Sequence, residues 1–321
     1  KRLKGLIFRS EYPYSISEEY IWGRILDKTG AKKVFGIQPS RELCMACHKR
    51  GIWVADVQHG VIADTHPWYG QAFRAQDDKD VLPSAFLCWD TGSKAVIDKW
   101  AQDKKIATHV IGNRWLARFV RRDQADVMVR NLCEAYENHV PAVADRKTIL
   151  VSLSWGNTNI ENGFVPEGLE TVIRKTANRF RWLIRLHPNQ VKGFASDEGP
   201  RFVSYFNNKL AGCAEWEATT SSPLPVVLQG VDLHISWNSS VSIEAAQLGI
   251  KSALLDPRLR EAGEWSDYYG HYREAGLIDL VLEEESTVID WIERNLDSKP
   301  KAEDFNVFDA EYQKILKFIS T

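Results

Sequence analysis

Two stretches of this chain carry residue types that can do chemistry. The first is 231–257, VDLHISWNSSVSIEAAQLGIKSALLDP, which reads as strand, polar loop, helix, strand. Val231 to Ile235 is short, apolar and β-branched, as a buried parallel strand requires. Ser239 or Ser240 can cap the helix that follows, Glu244 sits one turn inside it, and Gly249 suits its C-terminal end. Serines at a helix N-terminus are expected to leave backbone N–H groups free beside a positive dipole end, which is an anion site. The second stretch is 58–70, QHGVIADTHPWYG. His59 follows a strand end, Asp64 and His66 come soon after, and Trp68 and Tyr69 add flat surfaces suited to stacking on a sugar. Any of His59, Asp64 and His66 is a candidate general base. Together they also suggest metal ligation, but no compact fourth ligand accompanies them.

The elements that must hold these residues follow from periodicity and caps. In the first half, Lys33–Ile37, Ile52–Val57, Ser84–Trp89 and Thr108–Ile111 read as strands. A helix capped by Ser17 precedes the first of them, and helices opened by Ser40 and Asp90 lie between the later ones. Residues 123–138 read as a helix, and the polar stretch 141–147 as a domain junction. The second half restarts the alternation. Thr148–Leu153 is a strand running into the loop Ser154–Asn159, which contains Gly156. Pro166 opens a helix, and Arg181–Leu186 is a strand that ends at His187-Pro188. Leu224–Leu228 reads as a short strand, and 287–296 and 310–319 as helices. Alternating strands and helices with short joins predict parallel, helix-covered sheets. The fold class is therefore α/β with two Rossmann-like domains. The expected division is 1–144, 145–302 and a terminal helical segment, 303–321, returning to the N-terminal domain.

Composition narrows the function. With 321 residues, two cores of ordinary size are available. A net charge of −2 offers no electrostatic argument for nucleic acid as a partner. No apolar run approaches the roughly 20 residues that span a bilayer, so any membrane association is expected to be peripheral. The first residue is Lys1, and the chain is read as part of a longer one. Five scattered cysteines fit a reducing compartment, and a cytoplasmic setting, at the inner face of a membrane, is expected. Cys44-Met-Ala-Cys47-His48 matches a c-type haem attachment signature, but it falls in an amphipathic segment and reads better as buried helix cysteines.

The residues carry a resemblance. Ser239-Ser240 with Glu244 and Gly249 looks like the donor-binding serine loop and E-x-x-x-x-G helix of GT-B glycosyltransferases. Arg185-Leu186-His187-Pro188 looks like the His-Pro motif of bacterial sialyltransferases and capsule-type Kdo transferases. Gln58-His59-Gly60 resembles the acceptor-edge loop of capsule and lipopolysaccharide transferases. The resemblance implies two domains facing a cleft, with a nucleotide-sugar donor held by the second. Arg185, His187, Pro188, Ser239, Ser240, Glu244 and Gly156 would be its binding residues. It implies a CMP-sugar such as CMP-Kdo or CMP-sialic acid, a glycan or glycolipid acceptor, no cofactor beyond the donor and no essential metal. The paired-acid-and-glycine motif of the sialyltransferases is missing from the N-terminal half, which leaves the base open among His59, Asp64 and His66. Other functions are expected to compete. One is a metal-dependent hydrolase built on His59, Asp64 and His66. Others are a non-catalytic binding domain of a larger polysaccharide polymerase and a nucleotide-sugar epimerase.

Overall fold

A computed structural model describes residues 14–123, 125–139, 146–193 and 195–321. The chain forms two compact units. One comprises 1–114, 267–270 and 304–321, and the other 115–266 and 271–303. The apolar patch Gly5–Phe8 and most of the expected junction at 141–147 lie outside the described residues.

In the first unit, strands β1 (Lys33–Gly36), β2 (Trp53–Val57), β3 (Ala85–Cys88) and β4 (Ala107–Val110) form a parallel sheet in the order β1-β2-β3-β4. Every residue of β3 is buried, as expected of a strand covered on both faces. The helix Ile16–Thr29 is capped by Ser15, whose hydroxyl accepts the Glu18 N–H at 3.2 Å, two residues before the expected cap. Ser40 caps Arg41–His48, and Asp90 caps Thr91–Ala101 by accepting the Ser93 N–H at 2.6 Å. Cys44 and Cys47 are fully buried among Leu43, Ala46 and Val54, and burial pushes the Cys47 thiol up to about 11. They are core residues. The helix Asp309–Ser320 packs Ile315 against Ala55, Ala85, Leu87 and Ile111, a burial worth about 2 kcal/mol. His109 contacts Glu311 at 2.7 Å and Arg114 pairs with Asp309 at 2.5 Å, so polar contacts hold both flanks of this helix.

In the second unit, β5 (Lys147–Ser152), β6 (Phe180–Arg185), β7 (Leu233–Ser236), β8 (Lys251–Leu254) and β9 (Ile278–Leu280) are all parallel, in the order β6-β5-β7-β8-β9. Its core is built from alternate residues of the central strands, such as Ile149 and Val151, Leu233 and Ile235, closed by Trp182, Phe202 and Trp291. Gly249 ends the helix Val241–Gln247 at φ +72°, and a Cβ there would sit 2.4 Å from the Pro300 carbonyl oxygen.

One sequence expectation is revised, and one strand had no expectation behind it. Leu224–Leu228 is a helix, because Pro223 and Pro225 suit a helical first turn whereas Pro225 cannot donate to a sheet ladder. Residues 278–280 form an edge strand too short for its periodicity to show. The two compact units change over at 114/115, and the sequence reading sets its junction at 144/145. The helix Val127–His139 sets Val129 and Tyr136 against Leu150, Leu183 and the 226–228 segment of the second unit.

Candidate functional site

Strand order marks the opening of the second sheet. The connection from β5 to β6 runs one way and the path through β7, β8 and β9 runs the other, so the order reverses between β5 and β7. Open parallel sheets bind ligands outside the carboxyl ends of their strands at such a switch point. The loops after β5, β7 and β8 meet there through side chains. Ser154 Oγ donates to Asn238 Oδ1 at 2.7 Å, and Asn238 Nδ2 donates to Asp256 Oδ2 at 2.7 Å. Asp256 is buried and holds Arg258, whose Nη2 donates to Oδ2 at 2.6 Å and whose Nε donates to Oδ1 at 3.0 Å. The guanidinium lies 3.8 Å from the centre of the Trp265 ring, so a fixed cation is held on an aromatic face at this edge.

The loop after β6 joins through His187 and Trp155, whose rings are 6.2 Å apart. Trp155 is exposed. His187 caps the short helix Pro188–Val191. Its Nδ1 accepts the Asn189 N–H at 3.1 Å, and its own N–H donates to Gln190 Oε1 at 2.8 Å. With Nδ1 accepting, a neutral ring carries its proton on Nε2 and presents it as a donor. Pro188 presets the first turn. Gln190 is fully buried and donates to Glu198 Oε2 at 2.9 Å, while Glu198 Oε1 accepts the Gly156 N–H at 3.0 Å. Glu198 thus joins the Gly156 loop to the His187 loop, and the Gly156 N–H is already engaged.

The serine loop differs from expectation in its supply of donors. Ser239 N–H donates to Ser236 Oγ (3.0 Å), Val241 N–H to Ser239 Oγ (3.3 Å), Ser242 N–H to Ser239 O (3.2 Å) and Ile243 N–H to Ser240 O (2.9 Å). The first turn closes on itself, and the helix has only seven residues. Ser240 is exposed, while Ser239 is buried. Arg185 donates through Nη1 to the carbonyls of Thr219 and Ser222, the latter at 2.7 Å, so its first task is to hold the 219–222 turn. Burial lowers the pKa of that guanidinium, and the carboxylate of Glu244 opposes the shift, which places Glu244 electrostatically beside it.

Beneath the loops runs a buried polar seam. His234 is fully buried, with Nε2 2.6 Å from Ser152 Oγ and Nδ1 2.9 Å from Ser252 Oγ. Burial lowers its pKa to about 3, so the ring is neutral at physiological pH. Ser236 Oγ donates to the Ser152 carbonyl at 2.7 Å while accepting from Ser239, which fastens the serine loop to β5.

In the first unit, His59 follows β2 and is exposed. Gln58 beside it is buried and spans the strand ends, donating to Gly60 O (2.9 Å) and Ser93 Oγ (3.0 Å) and accepting the Trp89 N–H (2.6 Å). Asp64 pairs with Lys99. His66 Nδ1 accepts the Trp68 N–H at 3.1 Å, and its ring lies 5.1 Å from Tyr69 and 5.8 Å from Tyr268. Burial lowers the His66 pKa to about 4, against a smaller opposing effect of Asp267. Gly70 closes this turn, since a Cβ there would stand 2.0 Å from the Asp64 carbonyl oxygen. His59, Asp64 and His66 do not come together as a ligand set, and among the described residues no three His, Cys, Asp or Glu side chains do. The hydrolase built on that trio therefore lacks its metal cradle. Asn238, Asp256, Arg258 and Trp155 were missed in the sequence. Asp256-Pro257 just after a strand was the one local signal for them.

No protein-family model and no curated protein matches the sequence. Solved structures do. The UDP-GlcNAc 2-epimerase from Neisseria meningitidis, bound to UDP-GlcNAc, shares 17% identity, with 94% of this chain and 80% of that one covered and a TM-score of 0.64. The epimerase from Methanocaldococcus jannaschii shares 15% identity over 96% of this chain and 84% of that one, with a TM-score of 0.62. The wall teichoic acid polymerase TagF shares 12% identity over 94% and 93%, with a TM-score of 0.53. At these identities the likeness is one of fold, and the chain has the two Rossmann-like α/β domains of the GT-B architecture.

Proposed function

We propose that this chain is a glycosyltransferase that binds a nucleotide-linked sugar at the β5/β7 switch point of its second unit. The observation that carries the proposal is the meeting of four strand-end loops there, with a His187 donor, a held Arg258 cation and two aromatic rings, Trp155 and Trp265. Similar folds hold a nucleotide sugar in one case and carry out polymer synthesis in another, which supports the same class of ligand here. In the proposed reaction, the bond from the anomeric carbon to the phosphate oxygen breaks and its electron pair leaves with the nucleotide. The His187 Nε2 proton and the Arg258 charge stabilise those oxygens. The acceptor hydroxyl forms the new bond, and its proton passes to a base. His59 is the proposed base, because His66 already spends Nδ1 on a backbone N–H and holds a pKa near 4, and Asp64 is paired with Lys99. The CMP preference rests on the His-Pro and serine patterns alone, and the neighbouring UDP-GlcNAc enzymes favour a uridine nucleotide equally well. A polysaccharide or glycolipid acceptor belongs to the same proposal.

The test is a thermal-shift and calorimetric panel of CMP, CDP, UDP, GDP and ADP, since a ligand that binds only the native state raises the melting temperature. A nucleotide that stabilises the wild type and not His187→Ala supports the site and names the base. Stabilisation unchanged by both His187→Ala and Arg258→Ala places the nucleotide elsewhere and refutes it. With that nucleotide's sugar as donor, His59→Gln is expected to abolish transfer while binding persists. Interconversion of the free nucleotide sugar without any acceptor would make the chain an epimerase instead.

A further inference from the structure

The helix Ile16–Thr29 turns an apolar face to solvent. Ile16, Tyr20, Ile21 and Ile25 are 76%, 65%, 56% and 43% exposed, although each is a residue that burial favours. At about 100° per residue these four share an arc of about 180° with Arg24 and Lys28, both exposed. The three acids of the same helix all have partners. Glu18 accepts from Ser40 Oγ (3.2 Å) and Trp22 Nε1 (3.3 Å), and Glu19 from Tyr14 (2.6 Å) and Lys49 (2.7 Å). Asp27 lies inside the arc, between Ile16 and Tyr20, and is held by both Nε and Nη2 of Arg50, at 2.8 and 3.0 Å. The outward face therefore offers aliphatic and phenolic surface with cations among it, and the one carboxylate within it, Asp27, is ion-paired with Arg50. The sequence leading into the helix has the same character. Lys1, Arg2, Lys4 and Arg9 stand among Leu3, Leu6, Ile7 and Phe8, with no acid before Glu11.

We propose that this face docks on the surface of an anionic lipid bilayer, with the four apolar side chains entering the headgroup boundary and Arg24 and Lys28 meeting lipid phosphates. An interfacial helix binds through such a combination of apolar area and flanking cations, and exposed apolar clusters of this kind mark interaction sites. Charge complementarity favours lipid over a second copy of this chain, because two such faces would oppose cations to cations. The inference stands on the first unit alone and does not depend on the nucleotide site.

Co-sedimentation of the full chain with vesicles tests it, using phosphatidylcholine alone and phosphatidylcholine mixed with phosphatidylglycerol. Binding is expected to the mixed vesicles and to fall steeply with salt. Ile21→Ser/Ile25→Ser and Arg24→Glu/Lys28→Glu are each expected to weaken it about tenfold or more, with melting temperatures unchanged because all four side chains are exposed. Failure to bind mixed vesicles overturns the proposal, as does binding that neither double variant alters. Concentration-dependent dimerisation abolished by Ile21→Ser/Ile25→Ser would assign the face to a second copy and overturn it too.

Discussion

Replacing His234 by glutamine tests the buried seam quantitatively. The ring lies between Ser152 and Ser252 with no exposure, and burial lowers its pKa from about 6.5 to about 3. The native state thus prefers the neutral ring, while the unfolded chain protonates it below pH 6.5. The contribution of His234 is complete above that value. It is lost at about 1.4 kcal/mol per pH unit as the pH falls, until the folded ring also protonates near pH 3. At pH 5 the loss is about 2 kcal/mol. Glutamine keeps a donor and an acceptor for the two serines but does not titrate. Its cost at pH 7 is expected to be about 1–2 kcal/mol, from imperfect hydrogen bonds. Urea unfolding of both proteins at pH 7 and pH 5, followed by tryptophan fluorescence, is the assay. The stability gap between them should close by about 2 kcal/mol on going to pH 5. A gap that stays constant would show that His234 does not resist protonation, and the reasoning from its burial would fail.

Gly70→Ala places a methyl group against the Asp64 carbonyl oxygen, which is backbone and cannot swing aside. It is expected to cost about 3 kcal/mol, read as a lowered melting temperature. Gln247 is 2% exposed, and neither its Oε1 nor its Nε2 has a hydrogen-bond partner among the described residues. Gln247→Met, of similar volume, is expected to gain about 1–2 kcal/mol in urea unfolding. Destabilisation by that change would show that the amide is satisfied.

What was legible in the sequence was local. Asp90 and Ser40 announced their helices because a cap and its N–H partner lie three residues apart, and β5 stood out by the β-branched and aliphatic stretch Thr148–Val151. His187 and the serine loop were visible as residues that follow a strand. The linkage that makes them one site was not, because it joins positions far apart. Ser154 meets Asn238 across 84 residues, and Asn238 meets Asp256 across 18. No periodicity encodes the insertion of β7 beside β5, which creates the switch point. The supply of free N–H groups at the serines is also smaller than expected, for a spatial reason. Ser236, three residues upstream on the strand, turns its hydroxyl onto the loop and takes one of them.

The first unit is assembled from separated stretches of the chain, with 304–321 supplying the helix that buries Ile315 against its sheet. During synthesis that helix is made after every other part of both units. The first unit thus starts first yet stays incomplete until the 189 residues 115–303, belonging mostly to its neighbour, have been translated. Until then its sheet leaves Ala55, Ala85 and Leu87 without their lid, a state in which aggregation competes. A fragment cut after residue 114 would be trapped in that state permanently, so separate expression of the first unit calls for 304–321 to be joined back to it.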